Sequence, residues 1–177
     1  MKAIDLQDLV FLDEMGVLLG LMRTHARALP GERAYDFKPF YRGRKVSVIG
    51  AMTVSKVLAV MTLDDSMDAA AFQAYVSEML VPQLWAGAVV VMDNLRAHKV
   101  EAIAPLLEAV GAKILYLSPY SPEFNPIEHW WSQVKAFLRQ FSPTTTNMVD
   151  TLIATALDLI DPKHLRNWFA HCCYCPS

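Results

Sequence analysis

Ala88-Val89-Val90-Val91-Met92-Asp93, then residues 100–110 closing at Gly111, then Lys113-Ile114-Leu115-Tyr116-Leu117, is the stretch that decides the fold. The first run is short, rich in valine and stopped by an acid, which predicts a buried strand. Residues 100–110 predict a helix, and Gly111 suits the left-handed position that ends one. Residues 113–117 predict another strand. Strands joined through a helix run parallel.

Outward from there the pattern changes. Asp8-Leu9-Val10-Phe11-Leu12-Asp13 predicts a strand ending at Asp13, Glu14-Met15-Gly16 a turn, and residues 17–22 a second strand. Residues 23–45 hold Pro30-Gly31, Pro39 and Gly43 and predict a loop. Residues 46–52 and 57–63 predict a hairpin. Asp64-Asp65-Ser66 supplies capping side chains, and Asp68 an acid for the first turn, of a helix that carries Phe72, Val76, Met79 and Leu80 as far as Pro82. Residues 118–125 predict a loop, 126 to about 141 a helix, and about 147–160 a further packing helix. Antiparallel strands come first and helix-crossed parallel strands follow. The expected class is α/β, a mixed sheet with helices on both faces.

The chain has 177 residues, enough for one domain, with 54% hydrophobic and 19% charged residues. That composition excludes disorder. The longest uncharged span, residues 79–92, contains Pro82 and Gly87 and is too short for a transmembrane helix. Asp5 and Asp8 stand where a signal peptide needs apolar residues, so a cytoplasmic protein with no membrane partner is expected. A net charge of -2 argues against a free-standing nucleic-acid binder. Yet 7 of the 16 Lys and Arg fall in residues 23–45, Arg42, Arg44 and Lys45 among them. They form either a solvated loop or a phosphate-binding strip. Cys172, Cys173 and Cys175 are odd in number and tightly spaced, which predicts a reduced, frayed tail rather than a disulfide framework or a zinc site.

Three carboxylates stand at predicted ends: Asp13, Asp93 and Glu128. Functional groups of open α/β sheets gather at strand ends. Clustered carboxylates repel unless a cation neutralises them, and all-oxygen ligands suit Mg²⁺ or Mn²⁺. Two such ions about 4 Å apart activate a water and stabilise a leaving phosphodiester oxygen. Each acid also has a plainer reading. Asp13 can be a turn acid, Asp93 a loop start, and Glu128 the third helical residue of a capping box behind Asn125 and Pro126. On the helix that follows, Ile127, Trp130, Val134, Phe137 and Phe141 form the expected buried stripe, with both Trp130 and Trp131 as core anchors. Glu128, Ser132, Lys135 and Arg139 share another side, either a DNA-facing ridge or an ordinary solvated face.

Residues 90–99 (Val-Val-Met-Asp-Asn-Leu-Arg-Ala-His-Lys) and 116–135, which run from Tyr116-Leu117-Ser118-Pro119 through Asn125-Pro126-Ile127-Glu128-His129-Trp130-Trp131 to Lys135, closely resemble the signatures of mariner-like DDE transposases, the bacterial insertion-sequence 630 group above all. Phe11-Leu12-Asp13-Glu14 resembles the first acidic motif of that group. The resemblance covers about residues 5–142 and implies an RNase H-like catalytic domain there, with 143–177 as a C-terminal helix and tail. It implies Asp13, Asp93 and Glu128 as the metal-binding catalytic triad, holding two Mg²⁺ or Mn²⁺ ions. The implied activity is DNA cleavage and strand transfer that moves an insertion sequence, acting on double-stranded element ends and target DNA. Asn94, His98 and Lys135 match motif positions and join Arg139, Arg42, Arg44 and Lys45 as candidate DNA contacts. The helix-turn-helix region of full-length relatives has no counterpart before Asp13. A separate helix-turn-helix subunit or upstream reading-frame product is therefore expected, with homodimers possible. The competing readings are a hydrolysis-only nuclease of the same fold and a non-catalytic remnant that binds or inhibits an intact transposase.

Overall fold

A computed structural model describes residues 4–35, 44–94, 101–119 and 121–174. Five strands form one mixed sheet in the order β3-β2-β1-β4-β5: β1 (Leu9–Leu18), β2 (Lys45–Met52), β3 (Val57–Asp64), β4 (Val89–Met92) and β5 (Lys113–Tyr116). β1 pairs antiparallel with β2, and β2 with β3; β1 and β5 flank β4 in parallel. The expected mixed sheet is therefore present.

One expectation fails at the centre. Glu14-Met15-Gly16 is not a turn, and residues 9–18 form a single strand. The triplet pairs with Ile49, Val48 and Ser47 of β2, so its backbone groups are satisfied in the ladder. Period-two alternation buries Met15 and Val17 beside Phe11. Gly16 has a packing role instead: a Cβ there would stand 2.4 Å from Lys45 Cε. The hairpin between β2 and β3 forms as expected. The Thr53 hydroxyl accepts from the Ser55 and Lys56 amides at 3.2 and 3.1 Å, closing the turn without glycine.

Helices cover both faces. On one side lie α1 (Ala69–Ala74), continued by a π-helical segment Tyr75–Leu80 and a 3-10 turn Val81–Gln83, and α2 (Ile103–Ala109). The cap of α1 is Asp68, not residues 64–66 as expected: its side chain accepts from the Ala71 amide at 2.8 Å, one residue before the helix begins. They pack on Val10, Leu12, Ile49, Val90 and Met92. On the other side lie α3 (Ile127–Phe141), α4 (Thr146–Asp158) and α5 (Pro162–His171), packed on Phe11, Met15, Val48 and Val91.

In α3 the buried stripe is Ile127, Trp130, Trp131, Val134 and Leu138. Phe141, expected inside, is 51% exposed. Leu138, four residues after Val134, continues the inward stripe in its place. The helix α5 was not expected. Asp161 caps it, Pro162 starts it, and Leu165, Trp168 and Phe169 are buried. The predicted frayed tail is thus partly core: Cys172 is buried, and burial pushes its thiol up to about 11. Cys175 lies outside the described residues. No described helix is long and apolar enough to cross a membrane.

Candidate active site

Asp13 lies in mid-strand rather than at a strand end, opposite Gly50 of β2. It still marks an edge, because β4 is shorter than β1. The parallel pairing runs Leu9 to Val89, Val10 to Val90 and Phe11 to Val91. Two residues further, β4 has ended at Met92, and Asp13 is level with Asp93. Period two aims both toward the side of Phe11 and Val91, the layer of α3. Asp13 is 7% exposed. Asp93 is half-buried, and Asn94 beside it is exposed.

Glu128 stands exposed in the first turn of α3. The capping-box alternative is not realised. Pro126 takes the cap position, and no side chain caps the helix. Asn125 contributes only its backbone carbonyl, which accepts from the Glu128 amide at 3.1 Å. Its side chain is buried, and Oδ1 has no hydrogen-bond partner.

Asp13, Asp93 and Glu128 line one pocket of about 330 Å³ together with Asn94, Ser118, Ser121 and Asn125. The carboxylates share one electrostatic field. The Asp13 carboxyl is pushed up to about 7 by burial first, then by the negative charge of Glu128, with a smaller contribution from Asp93. The Glu14 amide and the Trp131 indole pull the other way. Trp131 Nε1 donates to Asp13 Oδ2 at 3.0 Å. Among the described residues no three His, Cys, Asp or Glu side chains close into a ready metal cage. The pocket's donors are carboxylate, amide and hydroxyl oxygens, a set that fits a hard dication and not zinc or copper.

The candidate DNA contacts separate. Asn94 lines the pocket. Lys135 and Arg139 do not; they lie half-buried 7 and 11 residues along α3 from Glu128, roughly 10 and 16 Å at the helical rise. Lys45 lies over Gly16 and meets Glu14 at 4.0 Å. Arg44 is exposed at the start of β2. Arg42 and His98 lie outside the described residues. On the outer side of Glu128, the His129 ring meets His171 edge-on at 4.6 Å. Burial, with His171 beside it, holds His129 below the ordinary imidazole range.

Two site groups escaped the sequence reading in this role, Trp131 and Asn125. The available signal was that a buried indole N–H needs an acceptor.

The sequence profile of the DDE superfamily endonucleases matches residues 8–149, and the chain belongs to that family. Among solved structures it is similar to a pre-cleavage Mos1 transpososome, at 17% identity and a TM-score of 0.76, over 93% of this chain and 52% of that one. A Mos1 strand transfer complex matches at 18% identity and TM-score 0.73, over 93% and 51%. A Mos1 mariner paired-end complex with Mn matches at 18% identity and TM-score 0.74, over 93% and 52%. The shared architecture is the RNase H-like fold. This chain spans about half the length of those Mos1 chains. No curated protein sequence matches it.

Proposed function

We propose that the chain is the catalytic domain of a mariner-like transposase of the bacterial insertion-sequence 630 type, which cuts DNA at element ends and joins them to target DNA. The observation that carries the reading is the convergence of Asp13, Asp93 and Glu128 on one pocket within a DDE endonuclease domain. The catalytic unit is residues 5–142, with 143–177 completing its core. Double-stranded DNA is the substrate, a helix-turn-helix partner or upstream reading-frame product supplies end recognition, and the working form is a homodimer. A cytoplasmic, nucleoid-bound enzyme follows.

The three acids are ligands for Mg²⁺ or Mn²⁺, held as a pair of ions. The all-oxygen donor set supports this, as does the Mos1 complex with Mn. Divalent ions bound there supply the positive charge that activates an attacking oxygen and stabilises a leaving one.

The chain's own residues set up an in-line displacement. Asp13, buried and hydrogen-bonded, is the fixed floor of the site. Asp93 extends from the end of β4 at the same level. Glu128, exposed on a helix, adjusts as charge develops on the phosphate. Asn94 stands at the pocket edge to orient the scissile strand. Water displaces the 3′ oxygen's phosphate bond at the element end and frees a 3′ hydroxyl. That hydroxyl then attacks a target phosphodiester and expels the target's own 3′ oxygen. Both steps exchange one P–O bond for another, and catalysis is positioning plus charge stabilisation.

Mg²⁺-dependent nicking of plasmid DNA by the parent and by Asp93→Asn tests the reading. A loss of about 100-fold or more is expected, the scale of removing one electrostatic stabiliser. Equal activity in both defeats the enzyme reading and leaves a non-catalytic remnant. Pre-cut element ends separate joining from mere hydrolysis: joined products are expected, and cleavage alone reduces the protein to a nuclease.

A further inference from the structure

A carboxylate in the middle of a strand and under a helical layer needs something to aim it. For Asp13 that partner is the Trp131 indole, 3.0 Å from Oδ2. The indole reaches it because position 50, directly across the ladder from Asp13, is glycine. A Cβ at Gly50 would stand 2.8 Å from Trp131 Cη2 and 2.9 Å from Trp130 Cζ3. The two rings stack at 4.4 Å with 25° between their planes and lie on bare β2 backbone as one slab. Only one of them bonds: Trp130 Nε1 is buried without a partner. Glu128 sits three residues before Trp131, so a single turn of α3 carries both an exposed acid and the group that grips the buried one.

We propose that Trp131, seated by Gly50, is the positioning residue for Asp13: its N–H pins one carboxylate oxygen so that the acid meets a divalent cation in a single orientation, at a fixed offset from Glu128. The inference rests on the reading of Asp13 as a cation ligand. Outer partners that hold a ligand side chain are worth about 10- to 100-fold in metal affinity. A phenylalanine would keep the stack and lose the bond.

The test is Mn²⁺ binding to the full chain, read from the EPR signal of free Mn²⁺, alongside thermal unfolding and Mn²⁺-dependent nicking. Trp131→Phe is expected to weaken Mn²⁺ binding about tenfold or more. The half-saturating Mn²⁺ for nicking should rise in step, and the rate at saturation should fall less. Trp130→Phe removes the same ring area from the same core; it is expected to lower the melting temperature while leaving the Mn²⁺ titration where the parent's lies. Gly50→Ala keeps the indole but displaces it, and is expected to give a smaller weakening. It decides the matter should Trp131→Phe not fold: a titration unchanged by Gly50→Ala then overturns the proposal. Parent-like Mn²⁺ binding in folded Trp131→Phe also overturns it, as does equal weakening by Trp130→Phe, which would reduce the effect to packing. In either case Asp13→Asn still loses Mn²⁺, and the ligand reading stands. If Asp13→Asn binds like the parent, the ligand reading falls and the positioning role with it.

Discussion

The two faces of the sheet bury polar groups on opposite terms. Under α1 and its π-helical extension, the Tyr75 hydroxyl donates to the Ala59 carbonyl at 3.1 Å. That group is matched inside the protein, and burial drives its ionisation far above the ordinary phenol range. Under α3, the Asp13 carboxyl has the Trp131 N–H but also two acidic neighbours. The first face is finished at Tyr75, though not at Ser47, whose buried Oγ on the side of Ile49 has no hydrogen-bond partner. The other holds a charge conflict that a proton on Asp13 or a bound cation relieves, and perturbed acids of this kind gather at functional sites.

The sharpest way to break this contrast is to damage the finished face. Phe72→Ala, at a fully buried side chain, is expected to cost about 3–5 kcal/mol in urea unfolding while activity per folded molecule is kept. Parallel loss of specific activity would show that the two faces are not separable.

Next is pH. The Asp13 carboxyl ionises near 3.8 when unfolded and at about 7 in the fold. Between those values the folded state holds a proton that the unfolded state has released. Stability in chelator should therefore rise as pH falls from about 8 toward 4, by up to roughly 1.4 kcal/mol per unit. Saturating Mg²⁺ should flatten that slope, and Asp13→Asn should abolish it. Above pH 7 in chelator, Asp13→Asn should melt higher than the parent.

Tyr75→Phe should act with the opposite sign, losing about 1 kcal/mol with the lost hydrogen bond. A stabilising Tyr75→Phe would erase the contrast. The smallest effect is expected at Gly16→Ala. The new methyl meets the flexible end of Lys45, so only a few tenths of a kcal/mol and the long contact of exposed Lys45 with Glu14 are at stake. A loss above about 2 kcal/mol would mean that the Lys45 stem is locked in place.

Much of this was legible from residue order. The valine run before Asp93, the helix closed by Gly111 and the Pro- and Ser-rich loop before Glu128 were each local signals, and the parallel half of the sheet followed from them; the strand order did not. What stayed hidden depended on partners far along the chain. Glu14-Met15-Gly16 has turn composition, and only an eight-residue β2 alongside makes it strand. The Trp131 hydrogen bond spans 118 residues. Gly50 reads as an ordinary strand glycine until two stacked indoles lie on it. Just ahead of the cysteines, α5 does carry a local signal, in Asp161-Pro162 and the spacing of Leu165, Trp168 and Phe169.

That last helix has a practical consequence. Just beyond α5, Tyr174 lies against Phe11, two residues from Asp13, with ring centroids 5.0 Å apart. Its hydroxyl donates to the Phe124 carbonyl at 3.0 Å, four residues before Glu128. The chain's far end thus laces strand to loop beside the acids. Shortened expression products that stop at α4 keep Asp13, Asp93 and Glu128 yet forfeit this lacing, and affinity handles are better attached at the opposite terminus.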